Sequence, residues 1–416
     1  MSEPIHPQGG ADAPPYVVST LSQSWPGRNG APAALGYFHD RGAEQGALEA
    51  LRGARAAGRR VIGLFCTFIP DEIVLAVNAV PVRLCSGMSP VASDDLPRDT
   101  CPVVRGALYV VQSGTLAGLL DAAVVPTSCD WKVQAVGRLA DCLPVIRVQL
   151  PRSAESRALS EQFVRLGRDL EQIADFSLTA TGFRQALEVT ARARAAHRQL
   201  DDLRRRPLPP LSGCEAMLIA DTYGYGDIEG WTAACEQLAA SLAAAEPPAW
   251  LGRAEPLPRI ALSGSPAIWP DYKVPYLVES SGGVVVGDDF CSRRSRLRAP
   301  DVTPGSLRDM LSALARRAVE PCTCGTIAKA SVRRQALLRL IGDLDADGVI
   351  CHYLRGCVPV AAGEAAVASA LRDAGVPSLT IETDASQEDI EGLRTRIEAF
   401  VETLGGRTGP NLNRPL

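Results

Sequence analysis

Short apolar runs alternate with helix-like segments along most of the chain. The run VIGLF at positions 61–65 has the pattern of a buried strand, and the turn-forming Pro70 follows it. The segment DEIVLAVNA then places Asp71 and Glu72 in the first turn of a predicted helix, where the helix dipole favours negative charge. A second apolar run, VPVRLC, comes next. Strand, helix and strand within about 30 residues predict a βαβ unit and therefore a parallel sheet covered by helices.

The same alternation divides the chain into four predicted parts. It continues through AAVV and LPVIRVQLP, gives way to charged helical sequence, and resumes at RIALSGSP. The closing segment LRTRIEAFVETL carries Leu393, Ile397, Phe400 and Leu404 on one face of a predicted helix. We predict an α/β fold with two parallel-sheet domains and a helical insert. The predicted boundaries are an irregular N-terminal arm at 1–45, a first α/β domain at 46–152, a helical insert at 153–255 and a second α/β domain at 256–416.

Composition and charge exclude several classes of protein. Of 416 residues, 46% are hydrophobic and 22% are charged, which is typical of a globular protein and not of a disordered one. The formal net charge of −4 provides no electrostatic attraction for nucleic acid or anionic lipid. The N-terminus lacks the pattern of a signal peptide, and no apolar run reaches the ~18–20 residues that span a bilayer. We therefore expect a soluble, cytoplasmic protein without a membrane or a nucleic-acid partner.

Cysteine is the one anomaly in the composition. The chain has 12 cysteines, and disulfides are rare in cytosolic proteins, so core thiols, metal ligands and catalytic thiols are the readings that remain. Ligands gather at the carboxyl ends of parallel strands. Four cysteines follow predicted strands, and two more begin Pro-flanked loops or helices, where free N–H groups stabilise a thiolate. These six candidates are Cys66, Cys129, Cys291 and Cys357 after strands, and Cys101 and Cys322 at loops or helix starts.

The spacing of the candidates excludes the common zinc and ferredoxin patterns. No C-x₂-C pair exists, and neighbouring candidates within each half of the chain are about 30 residues apart. They can meet only if the fold brings strand ends of both domains to one cleft, which suits a buried cluster between domains. Cys324, two residues from Cys322, is an alternative ligand. The remaining cysteines are predicted to be core thiols: Cys85, Cys142, Cys214, Cys235 and Cys351.

The order of these segments resembles a known superfamily. Over roughly residues 55–405 the chain is similar to the benzoyl-CoA reductase/2-hydroxyacyl-CoA dehydratase D-component superfamily. The segments that carry the likeness are CTFIPDEIVLAVNAVPVRL, CPVVRGAL, PTSCDWK, RIALSGSP, VESSGGVVVGDDFC, DGVICHYLRGC and IETDASQEDIEGLRTRIEAFVE. The resemblance implies two flavodoxin/Rossmann-like domains with an iron–sulfur cluster in the cleft between them.

The resemblance also implies a set of ligands. Dehydratase subunits of this superfamily hold a [4Fe–4S] cubane on three cysteines, whereas six cysteines resemble the double-cubane branch, in which a sulfide joins two cubanes in an [8Fe–9S] cluster. The implied ligands are Cys66, Cys101 and Cys357 for one cubane, and Cys129, Cys291 and Cys322 for the other.

On this resemblance we expect an iron–sulfur reductase, a homodimer that passes low-potential electrons to a small molecule under anaerobic conditions. A separate ATP-hydrolysing iron–sulfur activator would supply the electrons, since this chain contains no GxxxxGK[ST] loop. Two alternatives stay open. One is a [4Fe–4S] subunit of a 2-hydroxyacyl-CoA dehydratase or benzoyl-CoA reductase, with a heterodimeric partner and an acyl-CoA substrate. The other is a cluster-free or zinc-binding protein with inert thiols.

A few other side chains are secondary candidates. His352 and Glu279 lie near predicted strands and could donate or accept protons, although a core histidine and a structural carboxylate are the simpler readings. Lys132 and Arg293 lie near cluster cysteines and could stabilise thiolate charge. Asp288 and Asp289 in VGDDFC could bind a cation or relay protons, although a paired acid after a strand more often caps a turn or a helix.

Overall fold

The computed structural model describes residues 33–42, 44–85, 96–97, 99–112, 116–150, 156–243, 257–291, 293–319, 324–386 and 388–405. Within these ranges the chain forms two sheets of four parallel strands. The first sheet has the order β2-β1-β3-β4 and the second has the order β6-β5-β7-β8. The strands are β1 (Val61–Leu64), β2 (Val80–Arg83), β3 (Ala122–Pro126), β4 (Val145–Val148), β5 (Arg259–Gly264), β6 (Val284–Asp288), β7 (Gly348–Leu354) and β8 (Ser378–Thr383).

Helices cover both sheets and fill the stretch of chain between them. The first half contains α1 (Gly36–Gly42), α2 (Glu44–Ala56), α3 (Asp71–Leu75), α4 (Pro102–Gln112) and α5 (Asp130–Ala140). Between the sheets lie α6 (Ser156–Ala174), α7 (Ala180–Arg204), α8 (Gly213–Thr222) and α9 (Ile228–Ala243). The second half contains α10 (Lys273–Ser280), α11 (Arg293–Leu297), α12 (Leu307–Val319), α13 (Ala330–Asp343), α14 (Val358–Ala361), α15 (Glu364–Asp373) and α16 (Ile390–Gly405).

The inner strands are apolar on both faces, as parallel strands between two helical layers must be. All residues of β1, β3 and β7 are buried. This arrangement confirms the predicted α/β fold with two flavodoxin/Rossmann-like domains. None of the helices in the described ranges combines the length and apolar character needed to cross a bilayer.

The N-terminal end of the described chain differs from the predicted irregular arm. Ala33–Leu35 and α1 are helical, and Leu35 and Phe38 are buried in a core shared with the insert and the second sheet. A tyrosine and a phenylalanine in the Ala- and Gly-rich stretch were the signal for this packing. Residues 1–32 of the predicted arm lie outside the described residues.

The two halves share cores across the insert. Helix α12, from the second half of the chain, buries Met310, Leu311 and Leu314 in the same core as β1 and α6. Helix α7 packs on α9 and on α3, which follows β1 in the first half. The insert therefore holds the carboxyl ends of the two sheets in a defined relation to each other.

Candidate functional site

One cavity lies where residues that follow strands of both sheets meet. Its wall includes Cys66 after β1, Ser128 after β3, Asp289 after β6 and Gly356 after β7. Seven described cysteines line this cavity: Cys66, Cys85, Cys101, Cys129, Cys291, Cys324 and Cys357. The structure thus brings together five of the six predicted ligands and the alternative Cys324. The sixth, Cys322, lies outside the described residues.

The first group of thiols joins the two domains. Cys66 and Cys291 share a hydrogen bond between their side chains, and Cys291 shares another with Cys324. The Thr67 hydroxyl lies 3.4 Å from the Cys291 sulfur. Lys132, from the start of α5, donates from Nζ to the Cys66 sulfur at 3.3 Å and to the Ser128 hydroxyl at 2.8 Å. A half-buried ammonium therefore faces this group.

The second group of thiols also spans the two domains. Cys101 and Cys357 share a side-chain hydrogen bond. Gly356, with a φ of +85°, permits this approach, because a Cβ there would collide with the backbone carbonyl oxygen of Asp99. Cys129 begins α5, and the closest charges to its sulfur include Lys132, Cys66 and Cys357. Cys129 therefore interacts electrostatically with a member of each group.

One thiol in each touching pair has a lowered pKa. The hydrogen bond with Cys291 holds the pKa of Cys66 well below its ordinary value, and the Lys132 charge acts in the same direction against burial. The hydrogen bond with Cys101 lowers the pKa of Cys357 to about 6. Because a thiolate, not a thiol, binds metal, each pair offers one prepared ligand.

The contacts group the thiols differently from the implied division into cubanes. Cys66 touches Cys291 and not the Cys101–Cys357 pair with which the resemblance grouped it. The physical reason is the pairing of loops across the cleft. The loop after β1 faces the loop after β6, as the hydrogen bond from Arg296 of α11 to the Thr67 carbonyl shows. Strand order alone does not reveal which loops face each other.

The donor set suits a cluster better than a single ion. Among the described residues, no three His, Cys, Asp or Glu side chains converge closely enough to hold one metal ion. The ligands of an iron–sulfur cluster need not meet at one point, because they bind different irons, and cysteine thiolates are its usual ligands. The thiols here surround a shared space and have a half-buried cation, Lys132, to balance negative charge. The residues present therefore fit an iron–sulfur cluster.

A set of buried and half-buried charges lies directly behind the Cys66 loop. We call it the Glu72 cluster, and its members are Asp71, Glu72, Arg83, Arg194, Arg296 and Arg317. Glu72 is fully buried and pairs with Arg194 of the insert at 3.1 Å and with Arg317 of α12 at 2.6 Å. Burial alone would raise the pKa of Glu72, but the charges of Arg317, Arg296 and Arg194 hold it well below its ordinary value.

The Glu72 cluster holds the backbone at Cys66 and at the residue directly after it. Arg83, which pairs with Asp71, donates to the Cys66 carbonyl at 2.6 Å. Arg296, which pairs with Asp71 and Glu72, donates to the Thr67 carbonyl. Sequence reasoning treated Asp71 and Glu72 only as helix-start residues and did not find this role. Two adjacent acids after an apolar strand, with an arginine-rich insert, were the available signal.

The two secondary candidates for proton transfer are absent from the described cavity wall. His352 is buried, its Nδ1 lies 2.8 Å from the Ser265 carbonyl, and burial lowers its pKa to about 4. Glu279 accepts hydrogen bonds from the N–H groups of Gly213 and Cys214 at the start of α8, and burial raises its pKa to about 7. Glu279 therefore caps a helix instead of facing the thiols.

The cavity wall adds residues that the sequence did not single out. Cys85, predicted to be a core thiol, lines the cavity and donates from its sulfur to the Phe65 carbonyl at 3.1 Å. Arg333 also lines it and is only 8% exposed. Cys142, another predicted core thiol, is exposed, because it lies in the turn after α5. The predictions of buried core thiols are wrong for these two cysteines.

The other three predicted core thiols are buried: Cys214, Cys235 and Cys351. Asp289 lines the cavity but accepts hydrogen bonds from the Gly264 N–H and the Ser263 hydroxyl, both at 3.1 Å. The side chain of Arg293 lies outside the described residues.

Comparison with known proteins places this architecture in a family. The sequence model of the 2-hydroxyglutaryl-CoA dehydratase D-component matches residues 66–404. The chain belongs to this family. The match begins at Cys66 and includes all seven cysteines of the cavity wall.

Curated relatives agree with this assignment. The putative dehydratase subunit YjiM of Escherichia coli K12 is 29% identical over 90% of this chain and 98% of its own length. The beta subunit of (R)-2-hydroxyglutaryl-CoA dehydratase from Acidaminococcus fermentans is 25% identical over 84% of this chain and 94% of its own. The beta subunit of (R)-phenyllactyl-CoA dehydratase from Clostridium sporogenes is 23% identical over 83% of this chain and 92% of its own.

Proposed function

We propose that this chain holds a double-cubane [8Fe–9S] cluster in the thiol-lined cavity and uses it to reduce a small molecule. One observation carries the proposal: the cavity is lined by two sets of three candidate thiols, each drawn from both domains. The contacts favour Cys66, Cys291 and Cys324 for one cubane. They favour Cys101, Cys129 and Cys357 for the other. A single cubane with three ligands leaves the second set without a role.

The residues of the chain prepare this space for a charged group. Cys129 and Cys357 each begin a helix, and the backbone N–H groups of Lys132 and Val360 point at their sulfurs, which stabilises thiolates. Burial alone would lower the pKa of Lys132, but the surrounding cysteines raise it well above its ordinary value, so this ammonium stays charged. A cluster held here supplies one-electron chemistry at low potential, because its surroundings are poor in water.

The proposal includes partners. Membership of a D-component family supports a separate activator component, which we propose to be an ATP-hydrolysing iron–sulfur protein that delivers the electron. We propose that two copies of this chain form a homodimer, since one chain contains both sets of thiols.

Iron and sulfide analysis of anaerobically purified protein tests the proposal. We expect about eight irons and about nine sulfides per chain in the wild type. Cys129→Ser and Cys291→Ser, one from each set, should each reduce the iron content to about half. Cys142→Ser is a matched control, because it removes an exposed thiol outside the cavity, and its iron content should equal that of the wild type. Four irons in the wild type, unchanged in Cys129→Ser and Cys291→Ser, would contradict the double cubane.

The names of the curated relatives favour a second candidate function. Two of them are beta subunits of 2-hydroxyacyl-CoA dehydratases, which supports a [4Fe–4S] subunit that pairs with a different chain and acts on an acyl-CoA. This candidate predicts about four irons per chain and a heterodimer in size-exclusion chromatography with multi-angle light scattering.

A cluster-free or zinc-binding protein is the remaining alternative. It predicts a colourless anaerobic sample without the broad visible absorption of iron–sulfur proteins. The distances among the described acidic, histidine and cysteine side chains do not favour a mononuclear zinc site.

A further inference from the structure

Arg333 is a buried cation in the cavity wall, and no described residue forms a hydrogen bond or an ion pair with its side chain. It lies in the first turns of α13 and is 8% exposed. Within the described chain its Nε has no hydrogen-bond partner, and its guanidinium forms no ion pair. Buried arginines are almost always paired, because an uncompensated buried charge is unfavourable. An unpaired guanidinium in a cavity wall indicates a site for an anion that the protein binds.

An acid in the same cavity wall, Asp289, does not neutralise Arg333. Asp289 lines the same cavity, and its charge is felt by Arg333. Its two carboxylate oxygens, however, accept from the Ser263 hydroxyl and the Gly264 N–H at the end of β5. No ion pair joins Asp289 and Arg333 among the described residues. The guanidinium therefore keeps its hydrogen-bonding capacity for another group.

The backbone around Arg333 leaves space for its side chain. A Cβ at Gly363 would collide with the Nη1 atom of Arg333, so this glycine allows the guanidinium to lie where it does. The φ of Gly363 is −97°, which any residue adopts, so backbone strain does not require glycine here. The lack of a side chain at Gly363 therefore makes room for the Arg333 guanidinium and is not needed for the backbone conformation.

The chemistry of the cavity wall suggests the class of ligand. Pro359, Val360 and Ile268 provide apolar surface in the same cavity, and Thr326 adds a hydroxyl. A guanidinium with an apolar surround matches a carboxylate on a small apolar body, because arginine binds carboxylates through two parallel hydrogen bonds. We infer that Arg333 binds the carboxylate group of a small substrate in the cavity that also contains the thiols. The inference rests on the proposed function, because a substrate presupposes an enzymatic activity. The binding of the carboxylate does not itself require a cluster.

Calorimetric titration of the full chain, purified anaerobically, tests the inference. The probes are acetate, propionate and acrylate, with acetamide and propionamide as neutral analogues of the same shape. We expect the carboxylates to bind and the amides not to bind. Arg333→Gln should weaken carboxylate binding by at least about tenfold, and Arg333→Lys should recover part of it because the charge remains. Arg334→Gln is the matched control, since Arg334 is exposed on the same helix, and binding should not change.

Two further variants separate binding from folding. Arg333→Met removes an unpaired buried charge, so its thermal midpoint should equal or exceed that of the wild type, whereas loss of a structural contact would lower it. Gly363→Ala keeps the arginine but displaces its guanidinium, so it should weaken carboxylate binding and leave the iron content unchanged.

The outcomes distinguish this inference from the proposed function. Equal binding in the wild type and Arg333→Gln, no binding of any carboxylate to the wild type, or preferential binding of inorganic phosphate would overturn the carboxylate site. Iron content is measured on the same samples. Eight irons with no carboxylate binding would support the proposed function and contradict the Arg333 site. Carboxylate binding to a protein without iron would support the Arg333 site and contradict the proposed function.

Discussion

Two buried charged regions lie on either side of the Cys66 loop, and they are built differently. In the Glu72 cluster every guanidinium has a carboxylate partner: Arg83 with Asp71, Arg194 and Arg317 with Glu72, and Arg296 with both acids. In the cavity, the ammonium of Lys132 is paired only with a thiol sulfur and a hydroxyl, and Arg333 has no partner among the described residues.

The difference separates structure from ligand binding. A buried charge that has a partner of opposite sign stabilises one arrangement of the chain, whereas a buried charge without such a partner is a candidate for binding a ligand. The Glu72 cluster joins the first domain, the insert and α12, and holds the Cys66 backbone. The cavity wall contains seven thiols and, besides Arg83 of the Glu72 cluster, the two cations Lys132 and Arg333. We expect variants in the first region to change the free energy of unfolding, and variants in the second region to change the binding or the properties of a ligand.

The largest effect is expected for Glu72→Gln. It leaves three buried guanidiniums with one fewer negative charge, so the free energy of unfolding should fall by about 3 kcal/mol or more. Urea unfolding followed by circular dichroism measures this loss. Glu236→Gln is the control, because its carboxylate pairs with Arg192 at the surface, and its midpoint should hardly change. Equal midpoints for the two variants would refute the structural role of the Glu72 cluster.

Low pH should destabilise the folded chain by protonating the Glu72 carboxylate. The folded chain holds the pKa of Glu72 well below the ordinary value of 4.5, so its contribution to stability is complete above about pH 4.5 and is lost as the pH falls. The unfolding midpoint of the wild type should therefore drop below pH 4.5 more steeply than that of Glu72→Gln. Parallel pH profiles for the two proteins would show that another group governs acid sensitivity.

Lys132→Gln should change the properties of the bound group more than stability. A positive charge 3.3 Å from the Cys66 sulfur favours the reduced, more negative state of a cluster held there. Removing it should make the midpoint potential more negative by tens of millivolts, measured by a redox titration followed by electron paramagnetic resonance. The exposed Lys329 offers the control Lys329→Gln, which should leave the potential unchanged.

The smallest effect is expected for Cys85→Ser. The thiol of Cys85 lines the cavity but donates to the Phe65 carbonyl, and a serine hydroxyl can make the same hydrogen bond. Iron content should match the wild type, and the unfolding midpoint should move very little. Loss of iron in this variant would make Cys85 a ligand and would change the count of three thiols in each set.

The pattern of apolar residues was enough to predict most of the fold. The run at 61–65 contains β1, and Cys66 follows this run directly. The closing helix buries Leu393, Ile397 and Leu404 on one face. Such patterns are local, since a strand or an amphipathic helix shows its buried positions within a few residues. The helical Ala33–Gly42 was missed because alanine and glycine show little periodicity.

The site was predicted in part for the same reason. A cysteine at the end of a parallel strand must lie at the carboxyl edge of the sheet, so the positions of Cys66, Cys129, Cys291 and Cys357 follow from sequence. Cys85 was assigned to the core because it also ends an apolar run, and the sequence does not show that the β1 and β2 loops open on the same cavity. Glu279 has a raised pKa, but its carboxylate caps a helix more than 60 residues earlier in the chain.

The amino-acid sequence by itself determined the two parallel sheets and the edge on which the candidate thiols lie, because apolar spacing and strand ends are properties of neighbouring residues. Only the tertiary structure decided that Cys66 touches Cys291, that three arginines from distant helices surround Glu72, and that Arg333 has no ion pair within the described part of the chain. Each of these contacts joins segments that are far apart in the chain. Their pairing depends on how whole helices pack, which no short stretch of sequence records.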